Sequence, residues 1–216
     1  MRSITILICC VALGACTNAD TPDGTATADT TTAGATQSGP YLRGVVLRGS
    51  APAFVPCGTA DTLRLNDPTQ AIARVPVGRD ADAIFAVVAG GIMADSVVDV
   101  ERVVYASADR GECYNVWDTF DYRATGSSPG WIAEVNGSDV RLRREGDLNF
   151  SWSNVRKDSA DGRVRYTAPA VNGGAALELL LEQSPCTNPT TGAWSLWMAR
   201  AAVGGDELRG CAVPGR

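Results

Sequence analysis

The sequence predicts an all-β protein whose folded body is two small antiparallel β domains, and three observations carry that prediction. Short runs of β-branched and aromatic residues recur from residue 41 onward between turn signals, in a chain with 23 Gly and 11 Pro. In the second half apolar and polar residues alternate with period two, the signature of half-buried strands. A Pro, Gly and Ser cluster at residues 126–130 divides the two patterns.

The first 40 residues read as export and tether. Arg2 supplies a positive start, Ile4 to Leu13 is apolar apart from Thr5, and the run ends in Leu13-Gly14-Ala15-Cys16. An apolar segment of about ten residues is too short to span a bilayer, which needs roughly 20, so residues 1–15 are expected to be a signal peptide. The ending resembles the bacterial lipobox, which implies cleavage before Cys16, lipidation of its thiol and acylation of the new amine. Thr17, rather than Asp, follows the cysteine, and within that family this implies delivery to the outer membrane, anchored on the periplasmic side. From Thr17 to Gly39 there are eight Thr, no aromatic residue and no large aliphatic one. Such a segment cannot offset its chain entropy by burial and is expected to be a disordered tether reaching about 25 to 30 Å.

The folded body follows as residues 41–123 and 124–216. In the first part, Tyr41 to Arg48, Thr62 to Leu65, Ala83 to Ala89, Val97 to Tyr105 and Glu112 to Trp117 are the expected strands. Asp67 as N-cap and Pro68 at the first helical position predict one short helix over Thr69 to Arg74, stopped by Pro76. In the second part the apolar sets are Trp131, Ala133, Val135; Val140, Leu142; Leu148, Phe150, Trp152; Val164, Tyr166; Leu177, Leu179, Leu181; and Trp194, Leu196, Met198. These predict a half-buried meander, closed into a barrel or packed as a sandwich. Asn136-Gly137 between two alternating strands reads as a hairpin turn.

Of the seven cysteines, Cys9 and Cys10 fall in the signal and Cys16 is the lipid site, leaving Cys57, Cys113, Cys186 and Cys211. Four cysteines in an exported chain read as disulfides with three connectivities. Pairing within halves, Cys57 with Cys113 and Cys186 with Cys211, is the most economical.

The first part runs Tyr41-Leu42-Arg43-Gly44-Val45-Val46, then Phe54-Val55-Pro56-Cys57-Gly58, and closes in Glu112-Cys113. It resembles the oligonucleotide/oligosaccharide-binding-fold (OB-like) domain at the C-terminal end of NlpE-type envelope lipoproteins. The resemblance spans residues 41–118 and implies an OB-like barrel. The Cys-x-x-Cys on which the copper-related half of that family depends is missing, so copper binding and thiol chemistry are not carried over. Residues 129–213 resemble an uncharacterised group of bacterial lipoprotein domains. Their motif is a Cys, an acid two later, a Met-Ser-Gly-like triplet, an aromatic and a closing Gly-Cys. Here Cys186, Asn188, Thr190-Thr191-Gly192, Trp194 and Gly210-Cys211 stand at those places, with Asn for the acid and Thr for Met.

Composition excludes several functions. With no histidine there is no imidazole base, no His-ligated metal and no histidine pH switch. A net charge of −5 argues against nucleic acid as a partner. No cofactor and no metal are expected, and the acids isolate no catalytic pair.

Two candidate sites stand out. One is the loop of Thr187, Asn188, Thr190, Thr191, Gly192 and Trp194, pinned by Cys186. A rigid loop of hydroxyls and an amide beside an indole suits saccharide or peptide recognition. It is also similar to the Ser-Gly-x-Tyr loop that periplasmic inhibitors of lysozyme use. The plainer reading is a polar turn held by Asx-type bonds with Trp194 in the core. The other candidate is an anion-binding stripe of Arg141, Arg143, Arg163 and Arg165, since guanidinium suits phosphate and carboxylate. Residues 124–216 carry ten basic and ten acidic residues, so its plainer reading is a salt-bridged strand face. The function expected is a non-enzymatic, membrane-anchored periplasmic lipoprotein with a binding or sensing role. Its partner would be an envelope protein, peptidoglycan or lipopolysaccharide. The alternative is an inhibitor of a lysozyme-like hydrolase.

Overall fold

The computed structural model describes residues 40–94, 96–146, 148–170 and 174–216. The signal peptide, Cys16 and nearly all of the tether lie outside these residues. The described chain is an all-β protein, with its strands joined in one antiparallel sheet except for a single parallel pair.

Strands β1 (Tyr41–Leu47), β2 (Ala53–Pro56), β3 (Leu63–Asn66), β4 (Ala83–Met93) and β5 (Val97–Ser107) make the first barrel. β1 pairs with β2 and β4, β2 with β3, and β4 with β5. β3 then runs parallel to β5 and closes the ring, which gives the OB-like barrel. Leu42 and Val46 of β1, with Phe54, Ile84, Val88, Val98 and Val100, fill its core. β4 is buried on both faces: Ile84, Ala86 and Val88 point into this core, and Phe85, Val87 and Ala89 into a second one. Burial on both sides accounts for its unbroken apolar run.

Two expected elements take other forms. Residues 69–74 are turns and not a helix, because Gln70 sits in the left-handed region at φ 56°. Asp67 still caps, its carboxylate accepting from the amides of Ala71 (2.7 Å) and Ile72 (2.9 Å). Glu112 to Trp117 is not a strand. Asp109 accepts from the Gly111 amide and starts a short 3₁₀ helix, Arg110–Tyr114, in place of the expected strand.

The second barrel comprises β6 (Tyr122–Ser127), β7 (Gly130–Asn136), β8 (Asp139–Arg144), β9 (Leu148–Trp152), β10 (Arg156–Ala160), β11 (Arg163–Ala168), β12 (Leu177–Thr187), β13 (Trp194–Val203) and β14 (Asp206–Pro214). Each strand pairs antiparallel with the next, except at β9 and β10, and β14 returns to pair with β6. The result is an up-and-down barrel with one seam. Trp131, Ala133, Val135, Val140, Leu142, Val164, Tyr166, Leu177, Leu179 and Leu181 are buried, as the alternation predicts. On β13 the expected face is reversed. Ser195, Trp197, Ala199, Ala201 and Val203 are buried, while Trp194, Leu196 and Met198 are only partly covered. Small Ala199 and Ala201 fit an interior already occupied by Trp131, Tyr166 and Trp197.

The barrels belong to one compact unit. Trp194 and Ser195 of β13 pair with Ala106 and Tyr105 of β5, and the larger core contains Phe85, Val87, Ala89, Val104, Trp117 and Phe120 beside the second-barrel residues. The position between residues 123 and 124, expected as a boundary, lies within β6. Two disulfides form, in the pairing within halves. Cys57–Cys113 (Cα–Cα 5.2 Å) ties the end of β2 to the 3₁₀ helix, and Cys186–Cys211 (Cα–Cα 5.6 Å) ties β12 to β14.

Candidate functional site

The hairpin of β7 and β8 sets the floor of the site. Its turn holds Gly137 at φ 61°, and the register that follows places Ile132 opposite Arg143. On the other side Ile132 faces Thr125 of β6, and Thr125 faces Cys211 of β14. Because Ala124, Trp131, Ala133 and Leu142 turn inward, Thr125, Ile132 and Arg143 form a row on the outside of the second barrel.

Two hollows meet over this row. One, of about 360 Å³, extends toward the first barrel and reaches Tyr105, Glu112, Asn115 and Trp117. The other, of about 680 Å³, runs along Gly126, Gly130, Arg144 and Glu145. Thr125, Ile132, Arg143, Asn188 and Thr191 line both, so the hollows form one continuous cleft across the joint of the barrels.

The wall from the first barrel is firmly built. Trp117 stacks on Phe85 (centroids 5.5 Å apart, 24° between planes) and lies beneath the Arg43 guanidinium at 5.8 Å. Its indole N–H donates to the Glu112 carbonyl at 2.9 Å. The Glu112 carboxylate accepts from the Tyr105 hydroxyl (3.0 Å) and the Asn115 amide (2.5 Å). Burial, reinforced by this carboxylate, drives the Tyr105 phenol far above its usual pKa. Nearer the floor, Arg123 lies 4.4 Å over the Phe120 ring and pairs with Glu134 at 2.9 Å.

The opposite lip is the sequence-predicted loop. The Asn188 Oδ1 accepts from the amides of Thr190 (2.9 Å) and Thr191 (3.2 Å), and the Thr191 hydroxyl accepts from the Ala193 amide (3.2 Å). Gly192 takes the left-handed conformation, φ 69°, and its amide donates to the Asn188 carbonyl at 2.8 Å. The loop is thus an Asx-bonded turn. Trp194 packs against the core of the first barrel, while Thr187, Thr190 and Thr191 stay exposed. Asn188 Nδ2 approaches the Thr125 hydroxyl at 3.5 Å, which brings lip and floor together.

The arginine stripe divides. Arg163 pairs with Glu182 at 2.8 Å and Arg165 with Glu178 at 2.9 Å on the β11–β12 face. Two strands, β9 and β10, lie between them and β8 in chain order, so the four arginines do not share one surface row. Only Arg143 lines the cleft, with Arg141 two residues away on the same exposed face. Among the described residues neither has an ion-pair partner.

Thr125, Ile132, Glu112 and Tyr105 were not marked by any local pattern. The turn at Asn136-Gly137 is the one signal that could have placed Ile132 beside Arg143. Comparison with protein-family models, curated protein sequences and solved structures finds no match.

Chemically, the cleft offers an uncommitted guanidinium, hydroxyl and amide groups, and an aliphatic floor. Of its carboxylates, Glu112 and Glu134 are engaged by Tyr105, Asn115 and Arg123, and Glu145 accepts from the Gly130 amide at 3.3 Å. That arrangement is suited to holding a polar ligand.

Proposed function

We propose that this chain is a non-enzymatic lipoprotein of the cell envelope that holds a ligand in the cleft between its barrels. The observation that carries the reading is the continuity of the two hollows over Thr125, Ile132 and Arg143. The lipobox-like ending at Cys16 and the Thr-rich segment after it support anchoring at the outer membrane, with the barrels held off the bilayer by the tether. Trp194, the aromatic of the Thr190 to Trp194 loop that the inhibitor alternative would use, packs toward the first barrel, which favours the cleft reading over that alternative.

The test uses the full-length lipidated chain in detergent micelles, mixed with purified cell-wall sacculi and with lipopolysaccharide. Thr191→Trp, which fills the cleft from its exposed lip, is expected to reduce retention at least tenfold. Equal retention of the two proteins overturns the cleft as the binding site. Saturable turnover of a wall substrate that disappears in Glu112→Gln or Glu134→Gln overturns the non-enzymatic reading. For the anchor, Cys16→Ser is expected to move the protein from the membrane pellet to the soluble fraction.

A further inference from the structure

We infer that the cleft selects a saccharide bearing a single carboxylate, with Arg143 as the subsite for that charge. The inference rests on the binding reading above and deepens it.

Arg123 is neutralised by Glu134, and Arg144 pairs with Asp206. Arg143, at the junction of the two hollows, has no such partner among the described residues and remains available to a ligand. Guanidinium binds carboxylate through two parallel N–H donors, which gives direction as well as charge. Arg141, on the same strand face and about 7 Å along β8, raises the local potential without lining the cleft.

The remaining lining restricts what else the ligand can be. Glu112 in one hollow and Glu145 in the other have no ion-pair partner among the described residues, so a polyanion laid through the cleft would meet repulsion on both sides of Arg143. One anionic group is accommodated and a chain of them is not. The rings of Trp117 and Trp131 are both buried, so no deep aromatic pocket is offered to an apolar peptide side chain. What faces the cleft instead is the hydroxyl of Thr125, the amide of Asn188 and the hydroxyls of Thr190 and Thr191, which match the hydroxyl and acylamino groups of a sugar. The long 3.5 Å contact between Asn188 and Thr125 is readily exchanged for ligand bonds.

The experiment is calorimetric titration of the full-length protein with three sugars of similar size. They are a disaccharide of N-acetylglucosamine and N-acetylmuramic acid, the neutral dimer of N-acetylglucosamine, and that dimer carrying a single 6-phosphate. The carboxylated disaccharide is expected to bind at least tenfold more tightly than the neutral dimer and more tightly than the phosphate. Arg143→Ala is expected to erase the preference, Arg141→Ala to weaken it two- to threefold, and Arg143→Lys to restore it in part. Circular dichroism of each variant should match the parent, since both side chains are exposed. Equal binding of neutral and carboxylated sugars, stronger binding of the phosphate, or an unchanged preference in Arg143→Ala overturns the inference. If Thr191→Trp still abolishes binding in that last case, the cleft stands and only the assignment of Arg143 as the carboxylate subsite is wrong. Absence of binding by all three sugars overturns the ligand class, and the sacculus and lipopolysaccharide assays then decide the cleft itself.

Discussion

The indole N–H of Trp131 donates to the main-chain carbonyl of Arg209 at 3.1 Å, crossing from β7 to β14 over the strand between them. The crossing is possible because Gly126, its cross-strand neighbour on β6, has no side chain: a Cβ there would collide with both the indole nitrogen and the Arg209 carbonyl. Gly126→Ala should therefore cost about 3 kcal/mol or more, as overpacking against fixed backbone does. Trp131→Phe keeps an aromatic side chain but removes the donor and one ring of a buried indole, with an expected loss of at least about 1 to 3 kcal/mol. Urea denaturation monitored by circular dichroism gives both values. A Gly126→Ala midpoint equal to that of the parent would show that the backbone can yield here.

The disulfides close loops of different length, with a sequence separation of 56 for Cys57–Cys113 and of 25 for Cys186–Cys211. On the chain-entropy model these correspond to about 4 and about 3.5 kcal/mol. Replacing each pair by serine should lower stability by amounts of that order. Loss of Cys57–Cys113 should also loosen the Glu112–Trp117 wall and weaken binding in the cleft more than loss of Cys186–Cys211 does. Denaturation midpoints with paired ligand titrations separate the two effects. If removal of Cys186–Cys211 weakens binding more, the wall is not what the first bridge secures.

Asp121 links the chain terminus to the β7 hairpin. Partial burial raises its pKa, but the Arg216 guanidinium at 2.6 Å and the Gly137 amide at 2.7 Å outweigh burial and hold it below the usual carboxylate range. A carboxylate depressed in the folded state contributes stability that is complete above its unfolded value, about 3.9, and is lost as pH falls through the folded value. Stability should thus decline on acidification below about pH 4. Asp121→Asn should be less stable than the parent at neutral pH and should show a shallower acid slope. Parallel slopes for the two proteins from pH 5 to pH 2 would rule out Asp121 as a contributor.

Asn188 builds the lip of the cleft through its carboxamide oxygen, which accepts from both Thr190 and Thr191. Asn188→Asp retains an acceptor at that point and should preserve the turn. Asn188→Ala removes it and should cost about 1 to 2 kcal/mol, comparable to loss of a capping side chain. Amide hydrogen exchange at Thr190 and Thr191 is the direct measure. Protection should persist in the Asp variant and fall in the Ala variant, and equal protection in both would mean that the backbone bonds of Gly192 and Ala193 hold the turn alone.

Much of the fold was legible because burial on one face leaves a period-two record. Trp131 to Val135, Val140 to Leu142 and Leu177 to Leu181 each show it, and the cysteine pairing follows from where the turn-rich break falls. β13 misled because both its faces are apolar. Trp194 and Leu196 look like core residues because the joint with the first barrel covers them, while the true interior face is marked by Ser195 and small alanines. Residues 112–117 carry strand-like residues but obey the cap at Asp109. The cleft was the least legible part. Its walls come from residues 105–117, 123–145, 188–195 and 211–213, and the β5–β13 and β6–β14 pairings bring them together. Arg143 could be singled out by type, but which arginines are neutralised depends on cross-strand register, as Arg163 and Glu182 show.

The position of β1 determines how mechanical load enters this molecule. It is the first described strand, yet it lies inside the sheet, with β2 on one side and β4 on the other. Its ladder bonds run across the strand direction. Tension applied through the preceding segment and directed along β1 is therefore resisted in shear by both ladders at once, where a strand at the sheet margin pulled the same way would be held by one.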